Sequence, residues 1–199
     1  MSELLSISAE NLDPARRIAL AYAPARARPA WLALFMFQHK LAETARPGRE
    51  PLMVQLRLSW WRDRLKENSD AWPVSEPVLS ALKAWNGEHG RLVCLVDGCE
   101  ASVLAAEDGH ADCEEFASAQ VAAYVALAEV LGVGDTGAVR TAAESLAGGP
   151  IGHRQARAVP RPMRPLAVLA AMQRSAERQG GARPVADMIA VIRAGLLGF

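Results

Sequence analysis

Three stretches of this chain carry side chains whose types and spacing could do chemistry. In MVQLRLSWWRDRLKEN, residues 53–68, Trp60 and Trp61 stand among Arg57, Arg62 and Arg64. Read as a helix, Val54, Leu58, Trp61 and Leu65 fall at the i, i+4, i+7, i+11 spacing of a buried stripe. Arg57 and Arg64 flank that stripe, and Asp63 and Glu67 form an acidic pair four residues apart. Taken alone, this is a core helix with one tryptophan at its margin and a solvated charged edge. The second stretch, GHRQARAVPRPMRP, sets Arg154, Arg157, Arg161 and Arg164 between prolines. Guanidinium forks match phosphate oxygens or an anionic lipid head group, and the competing reading is a solvated connector. The third, EDGHADCEE, offers Glu107, Asp108, His110, Asp112, Cys113, Glu114 and Glu115, all types that bind metals. Its spacing fits no zinc or calcium loop, and it reads as a polar turn that feeds a capped helix.

Elsewhere the signals are thinner. His39, His89, His110 and His153 are scattered, with no two of them four residues apart. His39, in a mostly apolar helix, reads as a core or groove histidine. No GxSxG, P-loop or GxGxxG motif is present. Asp97-Gly98 puts a glycine inside a helical pattern, which marks a close helix crossing or a kink.

The elements that must position these residues are helices throughout. Asp13-Pro14 pairs an N-cap with proline at the first helical position, and Pro29, Pro51, Pro77, Pro165 and Pro184 open later helices in the same way. The helix from Pro29 stops at Arg46-Pro47-Gly48, and the Trp helix runs out at Asn68-Ser69-Asp70. VLSALKAWN ends at Gly87 and Gly90, RLVCLVDGCEASVLAA at Asp108-Gly109, and AVRTAAESLAGG at Gly148-Gly149. Asp112 with Glu115 has a capping-box-like pattern at the head of FASAQVAAYVALAEVLG, which ends at Gly132. LAVLAAMQRSAERQ stops at Gly180-Gly181. No segment alternates with period two, so the expected fold class is all-α. Short proline-marked connections favour a single bundle over residues 1–199.

Composition narrows the function. The 199 residues suffice for one well-buried domain. With 22 basic and 22 acidic side chains the net charge is zero, so there is no general field to draw nucleic acid and any anion site must be local. Cys94, Cys99 and Cys113 form no CxxC pair and read as reduced thiols of a cytoplasmic protein. MSELLSISAENLD lacks the basic and apolar regions of a signal peptide. No stretch reaches the roughly 20 unbroken apolar residues of a membrane span. ADMIAVIRAGLLGF, interrupted by Arg193, reads as a packed final helix, with peripheral membrane contact left open.

Taken in order, RIALAYAPARARPAWLALFMFQHKLAE, EPLMVQLRLSWWRDRL, PVLSALKAW, LVDGCEASV and RPMRPLAVLAAM resemble the squalene/phytoene synthase family. The segment from Arg57 to Leu65 is the specific part: in that family an arginine followed by Trp-Trp-Arg lies on a core helix beside the substrate cavity. The resemblance implies the class I isoprenoid synthase bundle, with Phe35, Gln38, His39, Arg57, Trp60 and Trp61 lining the cavity. It also implies paired carboxylates on two facing helices, holding the Mg²⁺ ions that neutralise a departing diphosphate. Here the first such position reads Gln38, His39, Lys40, Glu43 and the second offers Glu144, one carboxylate each. Asp63 and Glu67 cannot stand in, because Arg62, Arg64 and Lys66 surround them as ion-pair partners.

No catalytic residue and no metal or other cofactor is therefore expected, Mg²⁺ entering only if the chain is an active prenyl diphosphate synthase. The resemblance points to a scaffold, assembly or interaction protein that has lost prenyl transfer, with a protein partner. The mitochondrial complex I assembly factor, one branch of the family, is similarly thought to work without prenyl transfer. The alternatives are a carrier holding an isoprenoid or other apolar ligand in the old cavity, lined by residues such as Phe35, Met36 and Trp60, or the active enzyme.

Overall fold

Prolines with fixed φ begin most of the helices, and left-handed glycines end several. The computed structural model describes residues 12–110, 113–148, 158–177 and 184–198. Among these residues there is no strand, and nine α-helices follow one another: α1 (Pro14–Ala21), α2 (Arg28–Thr44), α3 (Pro51–Lys66), α4 (Pro77–Leu82), α5 (Val93–Glu107), α6 (Glu114–Val130), α7 (Gly137–Leu146), α8 (Arg164–Glu177) and α9 (Pro184–Leu197). The all-α expectation holds. Asp13 caps α1, its side chain accepting from the Arg16 backbone N–H at 3.0 Å. The stop of α6 is a Schellman turn. Gly132 takes φ +76° and its N–H bonds to the Glu129 carbonyl, while the Val133 N–H reaches back to Ala128.

Three local readings change. VLSALKAWN is not one helix: after Leu82 it tightens into a 3₁₀ turn, Lys83–Trp85, and breaks at Asn86 and Gly87, both left-handed. RLVCLVDG starts inside a second 3₁₀ segment, Glu88–Leu92, before α5 begins at Val93. In the arginine-proline loop, Arg161–Met163 is likewise a 3₁₀ turn, leading directly into α8. The capping box that rests on Asp112 lies outside the described residues. Cys113 occupies the N-cap of α6 and makes no side-chain capping bond.

Helix α2 is the centre of the bundle. Ala30, Trp31, Leu32, Ala33, Leu34, Phe35, Phe37, Gln38, Leu41 and Thr44 are buried; from Ala30 to Phe35 they cover the whole circumference, and beyond that only one face. α1, α3, α4 and α5 pack on it, α6 packs between α5 and α7, and α8 packs between α1, α7 and α9. One continuous hydrophobic cluster runs from Leu12 to Ala194. Buried indoles need partners for their N–H groups, and three find them on distant backbone. Trp31 donates to the Pro162 carbonyl at 2.8 Å, Trp72 to Arg64 at 2.7 Å and Trp85 to Ala30 at 3.2 Å. Each such bond contributes on the order of 0.5–1.5 kcal/mol.

Gly98 sits where α5 crosses α6, the close approach expected from Asp97-Gly98. A Cβ there would stand 2.6 Å from the Ala119 Cβ and 3.1 Å from the Phe116 Cα. Backbone cannot yield as a flexible side chain does. Gly98→Ala gains about 1 kcal/mol in helix propensity but incurs overpacking of about 1–3 kcal/mol. A net loss is expected, read as a lower urea midpoint with unchanged slope. A higher midpoint would contradict the crossing geometry.

Candidate functional site

The Trp-Trp-Arg helix divides its side chains by angle. Val54, Leu58, Trp61 and Leu65, the four residues of the stripe read from the sequence, are the buried residues of α3. Trp61 packs edge-on against Phe37, ring centroids 5.3 Å apart. Trp60 points outward, 38% exposed, with the Arg64 guanidinium 5.8 Å from its ring centroid. Arg57 is exposed. Of the surrounding cations, Arg64 pairs with Glu67 at 2.8 Å, as the sequence suggested. Arg62 instead crosses to α5, where it forks onto Asp97 at 2.8 Å and Glu100 at 2.6 Å. The hydrogen bond to Glu100, and then that to Asp97, raises its pKa further. The arginine of this segment thus joins two helices.

A polar cleft of about 310 Å³ opens at the end of the bundle where α1, α6, α7 and α8 meet. Asp13, Arg16, Gln120, Tyr124, Leu146 and Leu169 line it. Tyr124 is buried, and its phenol pKa rises because burial disfavours the anion, the Gln38 amide and Arg16 pulling the other way. Neither polar atom of the buried Gln38 amide has a hydrogen-bond partner of good geometry. Arg16 pairs with Asp13 at 3.5 Å and lies 5.9 Å from the Phe35 ring centroid. Of the residues expected to line a cavity, none lines this cleft: Phe35 meets its Arg16 and Gln38 its Tyr124 from the buried side, Arg57 and Trp60 are exposed elsewhere on α3, and Trp61 is in the core. A neutral phenol, an amide and an ion-paired guanidinium can hydrogen-bond a small polar group, but they form no nucleophile–base pair.

The remaining candidates are dispersed. His39 Nε2 lies 3.8 Å from the Glu43 carboxylate on the same turn of α2. Glu144 is exposed on α7, and Arg161 is exposed at the 3₁₀ turn before α8. Arg164 is half-buried, and its Nε has no partner among the described residues. Arg154, Arg157 and His153 lie outside the described residues. Among the described residues no three His, Cys, Asp or Glu side chains converge as a metal set. In the acidic stretch the Cys113 thiol donates to the Glu115 carboxylate at 3.3 Å. His89 is buried against Trp72, with Nε2 3.0 Å from the Glu67 carbonyl oxygen.

A second cleft, apolar and about 410 Å³, runs between α1, α8 and α9. Ile18, Tyr22, Met172, Met188, Val191 and Ile192 line it, with Ser175 and Asp187 at its polar edge. The sequence reasoning assigned a role in a site to none of these residues, nor to Arg16, Gln120 or Tyr124. The only available signals were single polar side chains in apolar helices, Gln38 in LFMFQHK and Tyr124 in VAAYVAL.

Three neutral acids, buried or half-buried in the bundle, weaken it at alkaline pH. Burial raises the Cys99 thiol from an ordinary value of 9.0 to about 11, half-buried Cys94 is raised for the same reason, and Tyr124 is raised above 10.0. The unfolded chain ionises these groups first, so the stability they contribute is complete below about pH 9 and is lost as pH rises through 11. The denaturation midpoint is expected to fall across that interval. Cys99→Ala should flatten the fall, and an equally steep profile in the variant would show that the thiol plays no part.

No family model, curated protein or solved structure matches this chain.

Proposed function

We propose that this chain is a divergent squalene/phytoene synthase-like helical domain, with the class I isoprenoid synthase arrangement, that has lost prenyl transfer and acts as a scaffold or assembly protein. The observation that carries the reading is the chemistry on α2. Glu43 is the sole carboxylate of that helix, His39 lies 3.8 Å from it, and Lys40 is between them in sequence. Mg²⁺ takes oxygen ligands in near-octahedral array, and diphosphate ionisation needs carboxylates from two facing helices. A lone carboxylate beside a histidine and a lysine, with Glu144 on a solvent-facing side of α7, does not fit that cluster. No step through Mg²⁺ follows from these residues. Trp31, Phe35 and Phe37 further support the reading, because they fill the centre of the bundle with side chains and are fully buried.

Isothermal titration with farnesyl diphosphate, with and without Mg²⁺, tests this. The expected result is no strengthening by Mg²⁺ and no release of diphosphate. Mg²⁺-dependent binding with diphosphate release would overturn the reading in favour of an active prenyl synthase.

A carrier role has one observation in its favour, the apolar cleft of about 410 Å³ between α1, α8 and α9. Its walls suit an unbranched or prenyl chain better than a charged head. Titration with farnesol alone separates the two: saturable binding at one site supports the carrier, and its absence removes it.

A further inference from the structure

We infer that the face formed by α9 and the outer edge of α1 docks onto an anionic lipid bilayer. This names the partner of the interaction role proposed above and rests on that reading. On α9, Met188, Ile192 and Leu196 recur every fourth residue with Ile189 and Leu197 beside them, and Ile18 of α1 faces the same way across the apolar cleft. Each of these six is 41–57% exposed. An apolar surface of this extent, continuous with an apolar cleft, is the mark of an interaction site rather than of ordinary solvent-facing helix.

The choice of occupant follows from charge and from length. Between Asp13 and Glu43 the chain carries no acidic side chain, yet it carries Arg16, Arg17, Arg26 and Arg28 on α1 and the turn into α2. Arg17, Arg26 and Arg28 are exposed. The end of α1, which Arg17 and Arg26 flank in sequence, lies against α9: Tyr22 packs so closely on Gly195 that an added Cβ would lie 2.2 Å from its ring. An apolar stripe edged by arginines fits lipid chains beneath anionic head groups. A second copy in a two-fold contact would bring this basic edge against its own image, which like-charge repulsion disfavours. Among the described residues no helix is long and apolar enough to cross a membrane, so α9 would lie along the surface.

Sedimentation of the full chain with vesicles tests the assignment. Vesicles of equal parts phosphatidylglycerol and phosphatidylcholine should pellet the protein, pure phosphatidylcholine should pellet far less, and high salt should release it. Ile192→Glu should weaken binding about tenfold or more by replacing an exposed apolar side chain that the bilayer would cover with a charge. Arg17→Glu with Arg26→Glu should do so by a similar factor through charge alone. Both changes lie at exposed positions, and an unchanged thermal melt by circular dichroism shows that the bundle is intact. Failure to pellet with anionic vesicles would overturn the inference, as would equal binding to neutral ones. A concentration-dependent dimer that Ile192→Glu dissociates would overturn it too, assigning the face to a second copy. None of these results alters the farnesyl diphosphate titration, so the two readings fail separately.

Discussion

Everything in this bundle is arranged around the enclosure of α2. A helix apolar on one side needs a single neighbour, but α2 is apolar and buried all round from Ala30 to Phe35 and must be surrounded there. α1, α3, α4 and α5 supply that enclosure, and Tyr124 of α6 reaches Trp31 with ring centroids 5.8 Å apart. The indole N–H of Trp31 then fixes the segment before α8, and that of Trp85 fixes the turn after α4 to the first turn of α2. A polar atom inside such a wall finds few partners, which accounts for a Gln38 amide that has only the Tyr124 phenol near it and no bond of good geometry. It also explains why both clefts lie towards the periphery, where α1 meets α6, α7, α8 and α9.

Adjacent tryptophans on one helix necessarily face about 100° apart, and α3 makes use of this. Trp61 joins Val54, Leu58 and Leu65 against the core, while Trp60 continues an outer apolar line through Leu52, Met53 and Leu56. Arg62 then reaches to Asp97 and Glu100, so that α3 is held to α5 by charge on one flank and by packing on the other. This is the structural content of the Trp-Trp-Arg segment: one ring for the core, one for the surface, and a guanidinium for the neighbouring helix.

The chemistry that would make such a bundle a prenyl synthase depends on paired carboxylates, and the positions in question hold a mixture of signs. Like-signed ligands concentrate a divalent cation; a histidine and a lysine beside Glu43 compete with it. The features with evident capacity for interaction face outward instead: the apolar cleft with the exposed side of α9, and the outer line of α3.

The amino-acid sequence by itself determined the helical class, the proline-marked starts of α1, α2, α3, α4 and α9, and the buried stripe of α3, because period, caps and glycine stops are local properties of the chain. It also marked Gly98 as either a close crossing or a kink, and the approach of Ala119 and Phe116 decides for the crossing. Only the tertiary structure decided that Arg62 pairs across to α5 rather than with Asp63 or Glu67, and that Trp60 faces out while Phe35 and Gln38 are buried. It likewise decided that residues as distant as Asp13, Tyr124 and Leu169 share one opening. These are facts about which helix lies beside which, and neighbours more than a hundred residues apart leave no periodicity in the chain for a reader to find.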